Sequence, residues 1–178
     1  MEKIKIGIIG GAGYTAGELL RILVNHPRVE IGFVQSTSHS GQPVTHVHND
    51  LVGETGLIFT GEPRYEEAEL LFLCQGHGKS RLFLERTPLP AGTRLIDLSA
   101  DYRIAGEGHR FVYGLPELQR ETVRGASQVA NPGCFATGIQ LGLLPLAAAG
   151  LLEGDIHVQA ITGSTGAEIG RASCRERV

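Results

Sequence analysis

The chain has 178 residues, of which 42% are hydrophobic and 20% charged, with a formal net charge of −3. That length holds one domain with a real core, or one domain and part of a second. The mild negative charge argues against a nucleic-acid surface, which needs a basic stripe. No run of about 18 apolar residues occurs, so no membrane-spanning helix is expected. The start, "MEKIKIGIIGG", lacks the long apolar stretch of a signal peptide.

Ile4 to Ile9 is a short apolar run ending at Gly10-Gly11, as a buried parallel strand would. Thr15 to Asn25 carries Leu19, Leu20, Ile22 and Leu23 at helical spacing, and "NHP" stops it. "VEIGFVQS" (29–36) predicts a second strand, and 37–57, polar and rich in glycine and histidine, a long loop with little regular structure. "LLFLC" (70–74) predicts a third strand, followed by "QGHGKS" and a short helix through Arg86. "LIDL" (95–98) reads as a fourth strand and Gln128–Ala130 as a fifth. Phe135 to Ala149 reads as a helix whose first part Pro145 must kink or end. "DIHVQAITGS" (155–164) starts a new strand. Strands alternating with helices imply βαβ units, hence an α/β fold with a Rossmann-like, doubly wound parallel sheet. The tail "GRASCRERV" (170–178) loses the apolar period and is rich in arginine. It reads either as a frayed, disordered tail or as sequence foreign to the natural protein, and carries no weight in the fold.

The turn "GGAGYTAGE" (10–18) lies between a strand and a helix, and Gly11, Gly13 and Ala16 fit the G-x-G-x-x-G/A dinucleotide fingerprint. Small residues let the backbone approach a pyrophosphate, and the helix start binds its charge. A glycine-rich turn without a ligand is the competing reading. After the second strand stand Gln35, Ser36, Thr37 and Ser38, with no carboxylate to bind the ribose hydroxyls of NAD. Hydroxyls tolerate a 2′-phosphate, which favours NADP, although no arginine stands beside them. In "CQGHGKS" (74–80), His77 could touch the nicotinamide side of a cofactor or simply be solvated, and Cys74 reads as core. In "DLSADYR" (97–103), Arg103 can grip a carboxylate or phosphate, or serve a structural pairing.

Three cysteines without regular spacing make neither a disulfide framework nor a zinc pattern, so a reducing cytoplasmic protein with free thiols and no metal is expected. Cys134, in "NPGCFATG", stands at a helix start, where N–H groups and the dipole lower a thiol pKa. Position alone leaves a structural and a nucleophilic cysteine both open. With a dinucleotide site nearby, a thioester at Cys134 followed by reduction becomes coherent chemistry.

"GGAGYTAGEL", "LSADYR", "YGLPEL", "NPGCFATG" and "TGSTGA", in this order, resemble the N-acetyl-γ-glutamyl-phosphate reductases of arginine biosynthesis, within the wider group that includes aspartate-semialdehyde dehydrogenase. The resemblance covers residues 2 to about 167. It implies NADPH-dependent reduction of a small acyl phosphate to an aldehyde, with Cys134 as the nucleophile. It places Gly10, Gly11, Gly13, Tyr14, Thr15 and Ala16 in the phosphate-binding turn, Ser36 and Thr37 at the adenosine end, and His77 by the cofactor. Arg103, Asn131, Ser164 and Gly166 would hold the substrate. Members usually have glycine at the Ala16 position, many carry arginine after the second strand, and many read Leu-Pro-His-Gly where this chain has Gln75-Gly76-His77-Gly78.

The resemblance implies an NADP-binding domain over 1–149 and the first part of an α+β substrate domain over 150–169. Members continue through most of that substrate domain, which supplies a general acid/base histidine and belongs to a homo-oligomer. The last histidine here is His157, so the chain reads as a truncated reductase with exposed apolar surface and little or no turnover. Two other readings stay open. One is a reductase of carrier-protein-bound aminoadipyl or glutamyl phosphate; the other is a non-catalytic NADP-binding module in which Cys134 is structural. Aspartate-semialdehyde dehydrogenase fits the phosphate turn and cysteine neighbourhood less well.

Overall fold

The computed structural model describes residues 2–106 and 108–163. Its elements run β1 (Ile4–Ile9), α1 (Tyr14–Leu23), β2 (Val29–Gln35), β3 (Phe59–Thr60), β4 (Leu70–Leu73), α2 (Lys79–Arg86), β5 (Arg94–Asp97), β6 (Val112–Tyr113), α3 (Pro116–Gly125), β7 (Gln128–Ala130) and α4 (Cys134–Ala148). The strands form one sheet in the order β3-β2-β1-β4-β5-β7-β6, and each strand pairing is parallel. The chain packs as two units, residues 1–134 and 135–178, and the sheet belongs to the first.

β1 shows why the apolar runs become parallel strands. Ile6 and Ile8 enter a core with Leu20 of α1, Val34 and Phe59, whereas Ile9 enters a second core with Phe33, Leu71, Leu73 and Leu95. A strand covered on both faces needs apolar residues at consecutive positions, not alternating ones. α1 turns Ala16, Gly17, Leu20 and Leu23 into the first core and leaves Ile22 exposed. The chain winds one way through β1, β2 and β3, then returns to lay β4 on the other side of β1. This topological switch opens a crevice at the carboxyl ends of β1 and β4, where doubly wound sheets bind ligands.

The loop at 37–57 differs from its expectation. It contains 3-10 turns at Val44–His46 and Asn49–Leu51, and Val44, His48 and Leu51 are buried against α1 and β2. Its turns use local hydrogen bonds that neither helical nor strand periodicity reveals. Pro145 does not end α4, which continues to Ala148. A proline removes one backbone donor, but its carbonyl still accepts from the Ala149 N–H at 3.1 Å, and the surrounding leucines and alanines favour helix.

The strand expected from 155 is not formed over its described residues, 155–163. Ile156, Val158 and Ile161 are exposed there. A strand exists only through ladder bonds to a neighbour, and no described strand pairs with this segment.

Candidate active site

Gly10 and Gly11 leave β1 in a turn that larger residues cannot make. Gly10 has φ +80°, and a Cβ there would stand 2.9 Å from the Cys74 backbone; one on Gly11 would stand 2.2 Å from Val34 Cγ1. The turn is held from the end of β2, where the Gly10 N–H donates to Gln35 Oε1 (3.1 Å) and the Gly11 N–H to the Gln35 carbonyl (2.7 Å). From the other side, buried His48 donates Nε2–H to the Gly11 carbonyl (2.8 Å), a bond that fixes its tautomer.

α1 then starts at Tyr14 with Gly13 as its N-cap, no capping side chain and no acidic residue in the first turn. The first-turn N–H groups have no intrahelical acceptor, so this end is suited to an anion. Gly10, Gly13, Ser36 and Thr37 line one cavity of about 350 Å³, together with Gln75 and Lys79. Gln75 Oε1 is buried without a hydrogen-bond partner among the described residues, an acceptor that a ribose hydroxyl or adenine amine would satisfy. The donor set therefore fits a dinucleotide. Gly11 and Ala16 are buried and let α1 pack closely on the sheet. Tyr14 and Thr15 are exposed on the first turn of α1, outside the cavity lining. Ser36 is mostly buried, so Thr37 and Ser38 are the exposed hydroxyls of the run.

A second set of loops follows β4, β5 and β7. Asp101 accepts from the Gly78 N–H (2.6 Å) and the Arg81 N–H (3.0 Å), capping α2 from the loop after the neighbouring strand β5. His77 accepts at Nδ1 from the Ala100 N–H (2.9 Å), which ties the same two loops; it is not in the cavity lining. Arg103 donates Nε–H to the Asn131 carbonyl (2.9 Å) and an Nη2–H to the Leu98 carbonyl (3.0 Å). Its Nη1 lies 2.9 Å from where a Gly133 Cβ would be. The guanidinium thus braces the turn that delivers Cys134, and Asn131, Arg103 and Cys134 fall together. Ser164 and Gly166 lie outside the described residues.

The two described cysteines differ sharply. Burial, with the charge of Asp97 adding, pushes the Cys74 thiol up to about 12, so it stays protonated at neutral pH. Cys134 is exposed at the first residue of α4. Of these two, Cys134 alone combines access with a helix start.

Sequence reasoning missed His48, Asp101 as a cap, and the placing of Gln75 and Lys79 in the cavity. His48 carried one weak signal, its position between the apolar pairs Val44/Val47 and Leu51/Val52.

Residues 5–126 match the model of the semialdehyde dehydrogenase NAD-binding domain. This chain belongs to the semialdehyde dehydrogenase family. Residues 134–175 match the family's dimerisation domain. Among curated relatives, an N-acetyl-gamma-glutamyl-phosphate reductase of Bacteroides fragilis is 57% identical over 166 residues, and one of Parabacteroides distasonis 56% identical over 166 residues. Each alignment covers 93% of this chain and 52% of the relative, so the chain spans about half the length of the curated relatives it matches. These relatives bear the name of the reductases that the ordered motifs resemble. Among solved structures, the fold is similar to aspartate semialdehyde dehydrogenase II of Vibrio cholerae complexed with ASA (TM-score 0.64, 18% identity, 83% of this chain and 47% of that one). It is also similar to the Candida albicans aspartate semialdehyde dehydrogenase with NADP (TM-score 0.60, 16% identity, 85% and 48%). At these identities the likeness concerns the fold alone. No described helix is long and apolar enough to cross a membrane.

Proposed function

We propose that the chain carries the cofactor domain and nucleophile of an NADPH-dependent N-acetyl-glutamyl 5-phosphate reductase, which forms N-acetyl-glutamate 5-semialdehyde and phosphate in arginine biosynthesis. The observation that carries this reading is Cys134, exposed at the start of α4 on a turn braced by Arg103. The relatives' names supply the substrate class.

In this mechanism the Cys134 thiolate attacks the acyl carbon of the acyl phosphate. The C–O bond to phosphate breaks, phosphate leaves with its electron pair, and a thioester remains on Sγ. Arg103 and Asn131 orient the substrate, with Ser164 and Gly166 completing its pocket. Gly10, Gly11, Gly13, Tyr14, Thr15 and Ala16 form the pyrophosphate turn, Ser36 and Thr37 the adenosine end, and His77 orders the loop beside the cofactor. When bound, the reduced nicotinamide supplies the hydride that takes the thioester to the aldehyde and releases the thiolate. The match to a dimerisation domain supports a homo-oligomer for the whole protein.

The test reads half-reactions. Incubation with the acyl phosphate should release one equivalent of phosphate and place the acyl group on Cys134, traced by peptide mass. Cys134→Ala should abolish both. Acyl transfer to Cys74, or phosphate release unaffected by Cys134→Ala, would refute the reading.

A further inference from the structure

β2 ends in a run of hydroxyls with neither an acid for the ribose nor an arginine for a 2′-phosphate beside it. We infer that the missing cation comes from another element, and that Lys79, the first residue of α2, recognises the 2′-phosphate of NADPH. The inference rests on the NADPH reading above.

Lys79 lines the same cavity as Gly13, Ser36, Thr37 and Ser38, and it is the one charged residue in that lining. The topology explains how a residue so distant in sequence arrives there. β4 lies beside β1, and the loop leaving β4 passes directly over the Gly10 backbone, where only a glycine fits. α2 therefore begins at the mouth of the crevice. Asp101 fixes that beginning, because its two carboxylate oxygens hold the Gly78 and Arg81 N–H groups.

The neighbouring charges leave Lys79 available. Its side chain is exposed and, among the described residues, makes no ion pair. Arg81, the next cation on α2, is committed to the Asp101 carbonyl (3.1 Å) and to the face of the Tyr102 ring (5.8 Å). The cavity lining contains no carboxylate, so nothing there would repel a phosphate dianion. Beside this ammonium, Thr37 Oγ1 accepts from Gln35 Nε2 (3.2 Å) and keeps its own hydrogen to donate to a phosphate, whereas Ser38 Oγ is engaged with His39 Nδ1 (2.8 Å). NAD has a ribose hydroxyl where NADP has the phosphate, so this cation acts on selectivity and not on dinucleotide binding in general.

The test is equilibrium binding by the full 178-residue chain, with NADPH and NADH titrated separately by nicotinamide fluorescence. The wild type should prefer NADPH. Lys79→Ala should weaken NADPH about tenfold, the loss of one charge-assisted hydrogen bond, and leave NADH unchanged. Lys79→Arg should keep the preference, and raised salt should weaken NADPH in the wild type more than in Lys79→Ala. Because Lys79 is exposed, the circular dichroism spectrum of Lys79→Ala should match the wild type. If the wild type prefers NADPH and Lys79→Ala retains that preference, the inference is overturned while the cofactor reading stands. Equal loss of both dinucleotides also overturns it, since the lysine would then act on a shared part of the cofactor. A wild type that binds NADH as tightly as NADPH overturns the cofactor reading, and this inference with it.

Discussion

The glycines of the phosphate turn should separate when each is replaced by alanine, because they serve different ends. At Gly10 the backbone has φ +80°, and a Cβ would sit 2.9 Å from the Cys74 carbonyl carbon and oxygen and from Gln75 Cα. The left-handed conformation costs a non-glycine residue about 1–2 kcal/mol. The overlap is with the backbone of the loop after β4, so relief requires moving β1 or that loop, at about 1–3 kcal/mol. Gly10→Ala should therefore lose about 2–5 kcal/mol, a large share of the stability of an ordinary domain, about 5–15 kcal/mol. At Gly13 φ is −84°, and a Cβ would meet nothing nearer than the Gly10 carbonyl oxygen at 3.8 Å. Gly13→Ala should cost only the poorer N-cap, about 0.5–1 kcal/mol. Its methyl group would, however, project into the space assigned to pyrophosphate and should weaken NADPH binding about tenfold or more. Urea unfolding followed by circular dichroism, paired with fluorescence titration of NADPH, reads both effects. A Gly10→Ala variant within about 0.5 kcal/mol of wild type would refute the packing argument. A Gly13→Ala variant with unchanged affinity would remove the pyrophosphate from this turn.

The Cys74 thiol should make stability fall in mild alkali. Its folded pKa is raised to about 12 from 9.0, so above pH 9 the unfolded chain loses a proton that the folded chain keeps. Unfolding free energy should then drop by at most about 1.4 kcal/mol per pH unit between these values, and Cys74→Ala should flatten that slope in urea unfolding at pH 8 to 10; an unchanged slope would refute it. His48→Ala should leave the buried Gly11 carbonyl without its donor, costing about 1–3 kcal/mol in urea unfolding, and should also weaken NADPH. Arg103→Lys keeps the charge but cannot span the Leu98 and Asn131 carbonyls together, so alkylation of Cys134 should change in rate although its own environment keeps the same formal charge.

What was legible in the sequence was local. Ile4–Ile9, Leu70–Leu73 and the glycine turn announce themselves because consecutive apolar residues and consecutive small residues each meet one nearby constraint. Phe59–Thr60 and Val112–Tyr113 are two-residue strands that exist only through their partners, Val34–Gln35 and Val129–Ala130, and two residues carry no period. The segment from 155 shows the converse: its sequence reads as the start of a strand, but a partner among the described residues is missing. In the site, Cys134 and Gly13 could be named from their neighbours in sequence. The bonds that fix them could not. His48 lies 37 residues from Gly11, Asp101 lies 23 from Gly78, and Arg103 lies 28 from Asn131. Only the strand order makes those residues adjacent.

Asp97 shows how such adjacency assigns different chemistry to two thiols of one chain. It ends β5 between β4, which leads into Cys74, and β7, which leads to Cys134. Its buried carboxylate accepts from the Ser99 N–H (3.1 Å) and Ser99 Oγ–H (2.7 Å), so it is satisfied without a cation. That negative charge adds to burial in holding Cys74 as a thiol. Its carbonyl meanwhile accepts from the Asn131 N–H at 2.7 Å, pinning the start of the turn that exposes Cys134. Replacing either cysteine by position in sequence alone would miss this asymmetry. Burial, with Asp97 adding, keeps Cys74 a thiol, and the Asp97 carbonyl anchors the turn before Cys134, so the acylation proposed above should fall on Cys134 and not on Cys74.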